Sequence, residues 1–304
     1  MKDTVNTSVT IAGVEFKNPI ITASGTFGFG REYGEFYDIN VLGGICTKGL
    51  TLEKRQGNPG PRVAETPMGM LNSVGLQNPG LEDFLKDDLG YLQSLDTVVI
   101  VNVAGRTEED YIAVAERISD TALPMIELNI SCPNVKAGGM AFGIYPDSVE
   151  RITKAVRAHC RKPLIVKLSP NVASIADNAR AAENGGADAI SLINTLTGMA
   201  VDWRARRTVL ANRTGGLSGP AVKPIALRMV NEAYNAVKIP VIGLGGIMTA
   251  DDVLEFMVAG ASAVQIGTAN IFDPNAGLNI VNELTNTLKA CKIENVGDLV
   301  GTLR

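Results

Sequence analysis

The feature that most constrains the fold is an alternation of short β-branched runs with helical patterns along most of the chain. Repeated βα units of this kind are typical of a parallel sheet covered by helices. The predicted strands are 20–23, 44–47, 98–102, 125–129, 164–168, 189–194, 241–244 and 263–266. Helical patterns between them include 109–119, 175–184, 224–237 and 251–259. Eight units predict an α/β fold of the (β/α)8 TIM barrel type.

The length of the chain allows one barrel with additions. The chain has 304 residues, 45% of them hydrophobic, and such barrels typically need about 250 residues. The loop-like stretches 51–78 and 195–220 are the candidate insertions at the carboxyl-terminal mouth, and residues 9–16 predict an amino-terminal β-hairpin that closes the barrel floor. Because no linker or low-complexity tract interrupts the pattern, we predict a single domain over residues 1–304.

Composition excludes several classes of protein. The balance of 28 basic and 32 acidic residues gives a net charge of -4, which disfavours nucleic-acid binding. No apolar run reaches the roughly 18 residues of a membrane span, and the polar start lacks a signal-peptide core. The cysteines lie far apart, at Cys46, Cys132, Cys160 and Cys291, so neither disulfides nor a metal cluster is predicted within this chain. These features predict a cytoplasmic protein.

The only histidine is not a promising catalytic group. His159 ends a helix-like run over residues 148–159, and a basic side chain in a last turn is an ordinary partner of the helix dipole. Proton chemistry in this chain must therefore use another residue type.

Polar residues and glycines follow nearly every predicted strand. They are Ser24 after the first strand, Lys48 after the second, Asn102 at the end of the third, Asn129 and Cys132 at the fourth, Lys167 late in the fifth, Asn194 and Thr195 closing the sixth, Gly245 and Gly246 after the seventh, and Gly267 and Thr268 after the eighth. Any one of them could be an ordinary turn residue. In a barrel, however, all converge on the carboxyl-terminal mouth, where active sites lie.

Glycine turns after the last two strands predict a phosphate site. Backbone amides of Gly245, Gly246 and Gly267, together with the start of the helix over 251–259, would face an anion. The dinucleotide fingerprint is incomplete because Met248 stands where its last glycine belongs. We therefore favour a mononucleotide phosphate over NAD.

Lys167 lies in an otherwise apolar strand, and lysine is almost never fully buried without a partner. A fixed cation there could stabilise negative charge that develops on a cofactor such as a reduced flavin. The alternative is a structural ion pair with a carboxylate such as Glu127.

Cys132 follows a buried strand and stands between two carboxamides, Asn129 and Asn134. Its thiol could take a proton from a bound polar molecule, although free cysteine is also a common buried residue. With Asn72 and Asn194, these amides suit a cyclic imide or amide better than a sugar phosphate. Lys48 could pair with a substrate carboxylate as a point charge.

Several of these motifs together resemble the dihydroorotate dehydrogenase family. They are residues 129–139, 72–78, 166–170 and the two glycine turns, and the resemblance covers nearly the whole chain. Cysteine rather than serine at position 132 resembles class 1 of the family. The loop 134–139 resembles the NAD-linked 1B catalytic subunit, and the fumarate-linked 1A type is the alternative. The pyrimidine-reducing domain of dihydropyrimidine dehydrogenase carries a similar motif.

The resemblance implies oxidation of dihydroorotate to orotate with FMN in this chain and Cys132 as the base. It implies substrate contacts from Lys48, Asn72, Gly75, Leu76, Asn129, Asn134, Asn194 and Thr195. It implies FMN contacts from Ser24, Lys48, Gly49, Asn102, Asn129, Lys167, Ile193, Gly219, Gly245, Gly246, Gly267 and Thr268. A partner chain with FAD and a [2Fe-2S] cluster would surround a homodimer core to form a heterotetramer. A hypothesis of another class is a non-catalytic barrel that binds a phosphorylated nucleotide.

Overall fold

Eight parallel strands close into a barrel in the computed structural model, which describes residues 5–131 and 140–304. In chain order the strands are β1 (Val9–Ile11), β2 (Val14–Phe16), β3 (Ile20–Thr22), β4 (Gly44–Cys46), β5 (Val63–Thr66), β6 (Gly69–Asn72), β7 (Val98–Val103), β8 (Met125–Asn129), β9 (Leu164–Lys167), β10 (Ala189–Leu192), β11 (Leu196–Gly198), β12 (Val201–Asp202), β13 (Arg207–Thr208), β14 (Gly215–Ser218), β15 (Val241–Leu244) and β16 (Ala263–Ile266). The helices are α1 (Leu81–Asp87), α2 (Leu89–Gln93), α3 (Glu108–Ser119), α4 (Met140–Gly143), α5 (Pro146–Arg157), α6 (Ile175–Asn184), α7 (Lys223–Tyr234), α8 (Ala250–Val258), α9 (Ala269–Phe272) and α10 (Ala276–Ala290).

The barrel strands run in the order β3, β4, β7, β8, β9, β10, β15 and β16, and β16 pairs with β3 to close the ring. The eight predicted strands and the TIM barrel are confirmed, with strand ends that differ by at most two residues. Strands β8, β9, β10, β15 and β16 are buried along their whole length, since helices cover a parallel barrel from outside.

Side-chain caps define where two of the predicted helices begin. Thr107 Oγ1 accepts a hydrogen bond from the amide of Asp110 at 3.3 Å, and the Asp110 carboxylate accepts the Thr107 amide in return. Thr249 and Asp252 make the same reciprocal pair at the start of α8. This capping box satisfies amides that the first turn leaves without partners. Within residues 5–131 and 140–304, no helix combines the length and apolar character of a membrane span.

The amino-terminal hairpin closes the floor of the barrel, as predicted. Strands β1 and β2 pair antiparallel, and the Phe16 side chain at the end of β2 is fully buried. It packs where β4 starts, so closely that a Cβ on Gly44 would lie 2.9 Å from Phe16 Cε1. Burial of such a ring contributes about 1.5–3 kcal/mol, and the first residue of β4 must be small to permit it.

The two insertions form a sheet, and the prediction that they are loops was wrong. Strands β11, β14, β6 and β5 pair in that order, all antiparallel, so the two insertions share one sheet. Strands β12 and β13 pair as a short ribbon within the second insertion. Short strands rich in glycine carry a weak periodic signal, and their pairing joins segments far apart in sequence.

Candidate active site

The carboxyl ends of the barrel strands and the inserted sheet enclose a cavity. Its volume is about 210 Å³, counted as the space open to the centre of a water molecule. One water needs only about 10–15 Å³ on this measure, so the cavity accommodates a ligand of many heavy atoms. Every predicted site residue within the described ranges lines it: Ser24, Lys48, Gly49, Asn72, Gly75, Leu76, Asn102, Asn129, Lys167, Ile193, Asn194, Thr195, Gly219, Gly245, Gly246, Gly267 and Thr268. Cys132 and Asn134 lie outside the described residues.

Glycines shape one side of the cavity. Gly245 and Gly246 are both in the left-handed region, with φ of 127° and 80°. A Cβ on Gly246 would lie 2.9 Å from the carbonyl oxygen of Gly219, so only glycine fits there. Gly267 differs, because the nearest atom to an added Cβ is the Ala23 Cβ at 3.5 Å. The fold leaves room at Gly267 that a ligand can use, and backbone turns of this kind suit a phosphate.

The start of α8 is already occupied by a carboxylate, contrary to the prediction that it faces an anion. Asp252 Oδ2 accepts hydrogen bonds from the amides of Met248 at 2.7 Å and Thr249 at 2.9 Å. Lys223 pairs with the same carboxylate. Burial raises the pKa of Asp252, but the hydrogen bonds from Lys223 and the two amides outweigh it and lower the pKa. Of the two anion-binding features that the sequence predicted, the glycine turns alone stay open to the cavity.

The first glycine of the incomplete fingerprint also has a structural reason. A Cβ on Gly243 would lie 2.5 Å from Phe256 Cδ1, and Phe256 is fully buried in α8. Gly243 thus lets helix α8 pack closely on strand β15.

Beneath the cavity lies a set of polar side chains that we call the polar layer: Cys46, Asn102, Glu127, Lys167, Ser191 and Gln265. Its centre is the fully buried Glu127 carboxylate. Oε1 accepts from Asn102 Nδ2 at 2.6 Å and from Cys46 Sγ at 3.2 Å. Oε2 accepts from Gln265 Nε2 at 2.6 Å and from Ser191 Oγ at 2.8 Å. Six barrel strands meet in this one layer.

Lys167 completes the layer and reaches the cavity. Its Nζ lies 3.5 Å from Glu127 Oε1 and 3.2 Å from Gln265 Oε1. The ion pair with Glu127, which the sequence analysis gave as the alternative for Lys167, is therefore present, and Lys167 also lines the cavity. Burial raises the pKa of Glu127, but Lys167 and the hydrogen bonds from Gln265, Ser191 and Cys46 together lower it. Burial and the neighbouring Glu127 raise the pKa of the Cys46 thiol, which stays protonated.

A chain of hydrogen bonds leads from the polar layer along the cavity wall. Asn102 Oδ1 accepts from Asn129 Nδ2 at 3.2 Å. Asn129 Oδ1 accepts from Ser131 Oγ at 3.0 Å, and Ser131 Oγ accepts from Asn194 Nδ2 at 2.8 Å. These bonds fix the direction in which each carboxamide points, and Ser131 immediately precedes Cys132 in the sequence.

The loop between β6 and α1 brings backbone to the cavity. Gly75 and Leu76 both have positive φ, of 79° and 58°, and such strain in a non-glycine residue is a mark of functional sites. Asn78 holds the loop from behind, since its Nδ2 donates to the Leu76 carbonyl at 2.7 Å and its Oδ1 accepts from the Gly80 amide at 2.9 Å. Asn78 is buried and serves the loop rather than the cavity.

Sequence reasoning missed several residues of the site, three of which are polar residues that shape it. Gln265 lines the cavity from the middle of β16, Ser131 links two predicted asparagines, and Ser218 accepts a hydrogen bond from Thr268 at 2.8 Å. Gln265 carried a readable signal, because a polar residue inside a buried strand requires a buried partner.

The histidine lies away from the cavity. Helix α5 ends at Arg157, and exposed His159 follows it on the way to β9. That connection enters the barrel strands at their amino ends, on the floor side. The expectation that proton chemistry at the mouth uses another residue type agrees with this position.

The fold and site define a class of protein first: a (β/α)8 barrel with a glycine-lined cavity at its mouth, over a buried lysine–carboxylate pair. A model of the family described as dihydroorotate dehydrogenase matches residues 6–290, and the chain belongs to this family. It is 56% identical over 298 residues to the "Dihydroorotate dehydrogenase B (NAD(+)), catalytic subunit" of Alkaliphilus oremlandii, covering 98% of this chain and 99% of that protein. It is 54% identical over 300 residues to the protein of the same description in Lachnoclostridium phytofermentans, covering 99% and 100%.

A solved structure agrees. A crystal structure described as DHODH in complex with ferulenol, from Eimeria tenella, superposes with a TM-score of 0.80 at 25% identity, covering 99% of this chain and 89% of that chain. The predicted family is thus confirmed, and the names of the relatives favour the NAD-linked 1B type over the fumarate-linked alternative.

Proposed function

We propose that this chain oxidises dihydroorotate to orotate with FMN as its resident cofactor and passes the electrons to NAD through a partner subunit. The observation that carries the proposal is the single cavity in which a glycine-lined cradle, a buried cation and a row of carboxamides face one space. Membership of the dihydroorotate dehydrogenase family supports it.

The residues present fit FMN. Gly219, Gly246, Gly267 and Thr268 would hold its phosphate, because their backbone lies open to the cavity and the space beside Gly267 is one that a Cβ would fill. Lys167 and Asn102, 3% and 0% exposed, would lie against the ring. When bound, FMN supplies the acceptor for the hydride that leaves C6 of dihydroorotate.

The chain's own groups would bind and orient the substrate. Asn72, Asn129 and Asn194 offer carboxamides to a pyrimidine ring, and the hydrogen bonds of Asn129 and Asn194 fix their orientation. Lys48 lines the same cavity and would pair with the substrate carboxylate.

Cys132, as the base, would take the proton from C5. The electron pair of that C–H bond then forms the C5–C6 double bond as the hydride leaves C6, so the substrate loses one proton and one hydride in all.

The NAD-linked 1B type implies a partner subunit. The relatives are described as catalytic subunits, and a catalytic subunit implies another subunit. We propose that the partner carries FAD and a [2Fe-2S] cluster and that a homodimer of this chain forms the core of a heterotetramer.

The identity of the flavin tests the cofactor directly. Acid release from the purified chain, followed by chromatography, should yield FMN in about equimolar amount. Lys167→Ala should lose flavin, whereas Lys154→Ala, on the exposed face of α5, should retain it as the matched control. Recovery of FAD alone, or of no flavin from a folded preparation, would contradict the proposal.

A further inference from the structure

The polar layer contains two charged residues, Lys167 and Glu127, and only Glu127 does not line the cavity. It is fully buried, and it contacts three residues that do line the cavity: Asn102, Lys167 and Gln265. Glu127 therefore lies inside the barrel, directly beneath the residues that line the cavity. The predicted mechanism gives it no role beyond an ion pair with Lys167.

The carboxylate accepts from every neighbour in the layer. Asn102, Gln265, Ser191 and Cys46 all donate hydrogen bonds to it, at 2.6 to 3.2 Å. An ionised carboxylate can only accept, so it dictates that the Asn102 amide points its NH2 group downward and its oxygen toward Asn129. A neutral amide in place of Glu127 could not accept from all of these donors.

The same carboxylate sets the net charge of the polar layer beneath the cavity. Lys167 brings one positive charge and Glu127 one negative charge within 3.5 Å of each other, so the pair as a whole is nearly neutral. Electrostatic effects are large in a buried site of low dielectric. Removing the negative charge alone would expose the bound ring to an uncompensated lysine.

We propose that Glu127 is a positioning residue that acts through Lys167 and Asn102 to lower the reduction potential of the flavin. The inference rests on the proposed function, since it assumes that FMN lies over the polar layer. Reduction adds negative charge to the ring, and an uncompensated Lys167 would favour that charge more than the neutral pair does. The carboxylate thus offsets the effect of the Lys167 charge on the reduced ring, and it orients the amide of Asn102 beside it.

The test is the equilibrium between the bound flavin and a reference dye of known potential, measured anaerobically by absorbance. Glu127→Gln should shift this equilibrium toward reduced flavin by about tenfold, or about 30 mV for a two-electron couple. Glu127→Asp keeps the charge and should stay within threefold of the wild type. Ser191→Ala removes one hydrogen bond to the same carboxylate without changing charge and is the matched control. A Glu127→Gln protein with the wild-type dye equilibrium would overturn the proposal.

If Glu127→Gln does not fold, a second pair of variants tests how the charges of Glu127 and Lys167 balance beneath the flavin. Lys167→Met leaves the Glu127 charge alone beneath the flavin and should weaken FMN binding. Adding Glu127→Gln to it removes both charges, which buried sites tolerate better than one. With each protein saturated with FMN, the dye equilibrium of the double variant should lie at least tenfold further toward reduced flavin than that of Lys167→Met, and an equal or smaller reduced fraction would overturn the proposal. If the wild-type chain binds no flavin at all, the proposed function fails instead.

Discussion

Gly267→Ala separates the needs of the ligand from the needs of the fold. Gly267 lines the cavity, its backbone lies outside the left-handed region, and an added Cβ would meet only the Ala23 Cβ at 3.5 Å. The folded chain alone therefore gives no steric reason for a glycine there. The proposed phosphate site does, because backbone without a side chain can approach a ligand closely.

The expected magnitudes differ between two glycines of the same site. For Gly267→Ala, the free energy of unfolding of the flavin-free protein should rise by about 0.4–1 kcal/mol or stay unchanged, since alanine reduces the entropy of the unfolded chain. For Gly246→Ala, the left-handed backbone costs about 1–2 kcal/mol. Contact of its Cβ with Gly219 at 2.9 Å adds overpacking of about 1–3 kcal/mol. Both changes should weaken FMN binding by about tenfold or more, or about 1.4 kcal/mol.

Two measurements on each protein give the answer. Urea denaturation of the flavin-free protein reports the free energy of unfolding, and quenching of flavin fluorescence on binding reports the dissociation constant of FMN. Gly267→Ala should lose affinity and keep stability, whereas Gly246→Ala should lose both. The reasoning is refuted if Gly267→Ala binds FMN as tightly as the wild type.

Three further predictions concern catalysis, stability and the electron acceptor. Cys132→Ser should slow flavin reduction by about 10²–10⁴-fold at neutral pH and recover as the pH rises; a wild-type rate at pH 7 in stopped-flow absorbance would mean that another group is the base. The pKa of Glu127 is lowered in the folded protein. The contribution of the ionised carboxylate to the free energy of unfolding is therefore complete above the ordinary carboxyl pKa, and it is lost as the pH falls through the folded value. The free energy of unfolding from urea titrations should thus fall more steeply below about pH 4.5 for the wild type than for Glu127→Gln, and parallel curves would count against the ion pair. The purified chain should reduce artificial dyes with dihydroorotate but leave NAD unreduced until it is co-expressed with a flavin and iron–sulfur partner; rapid turnover with fumarate by the lone chain would favour the 1A type.

The sequence predicted the barrel because its signals are local. Each strand is a short apolar run, and each polar residue or glycine that follows it stands at the carboxyl end of that run. Asn102, Lys167 and Gly267 could therefore be placed on one mouth from their positions alone. The amino-terminal hairpin was equally local, with its two strands two residues apart.

The remainder depends on contacts between distant parts of the chain. The sheet of the two insertions pairs β6 with β14, and no local pattern links them. The hydrogen bonds of Glu127 come from five other strands, so only the closed barrel reveals that one carboxylate joins Cys46 to Gln265. One error was avoidable, because Thr249 and Asp252 have the spacing of a capping box, which excludes an anion from the start of α8.

The most direct test of the proposed function is the absorbance of the purified, flavin-loaded chain on anaerobic addition of dihydroorotate. The visible flavin bands should bleach, and one orotate should form for each flavin reduced. This half of the reaction uses the cavity that the chain's own residues line. A folded, flavin-loaded protein that dithionite bleaches but dihydroorotate leaves yellow would contradict the proposal and would favour a barrel that only binds a phosphorylated nucleotide.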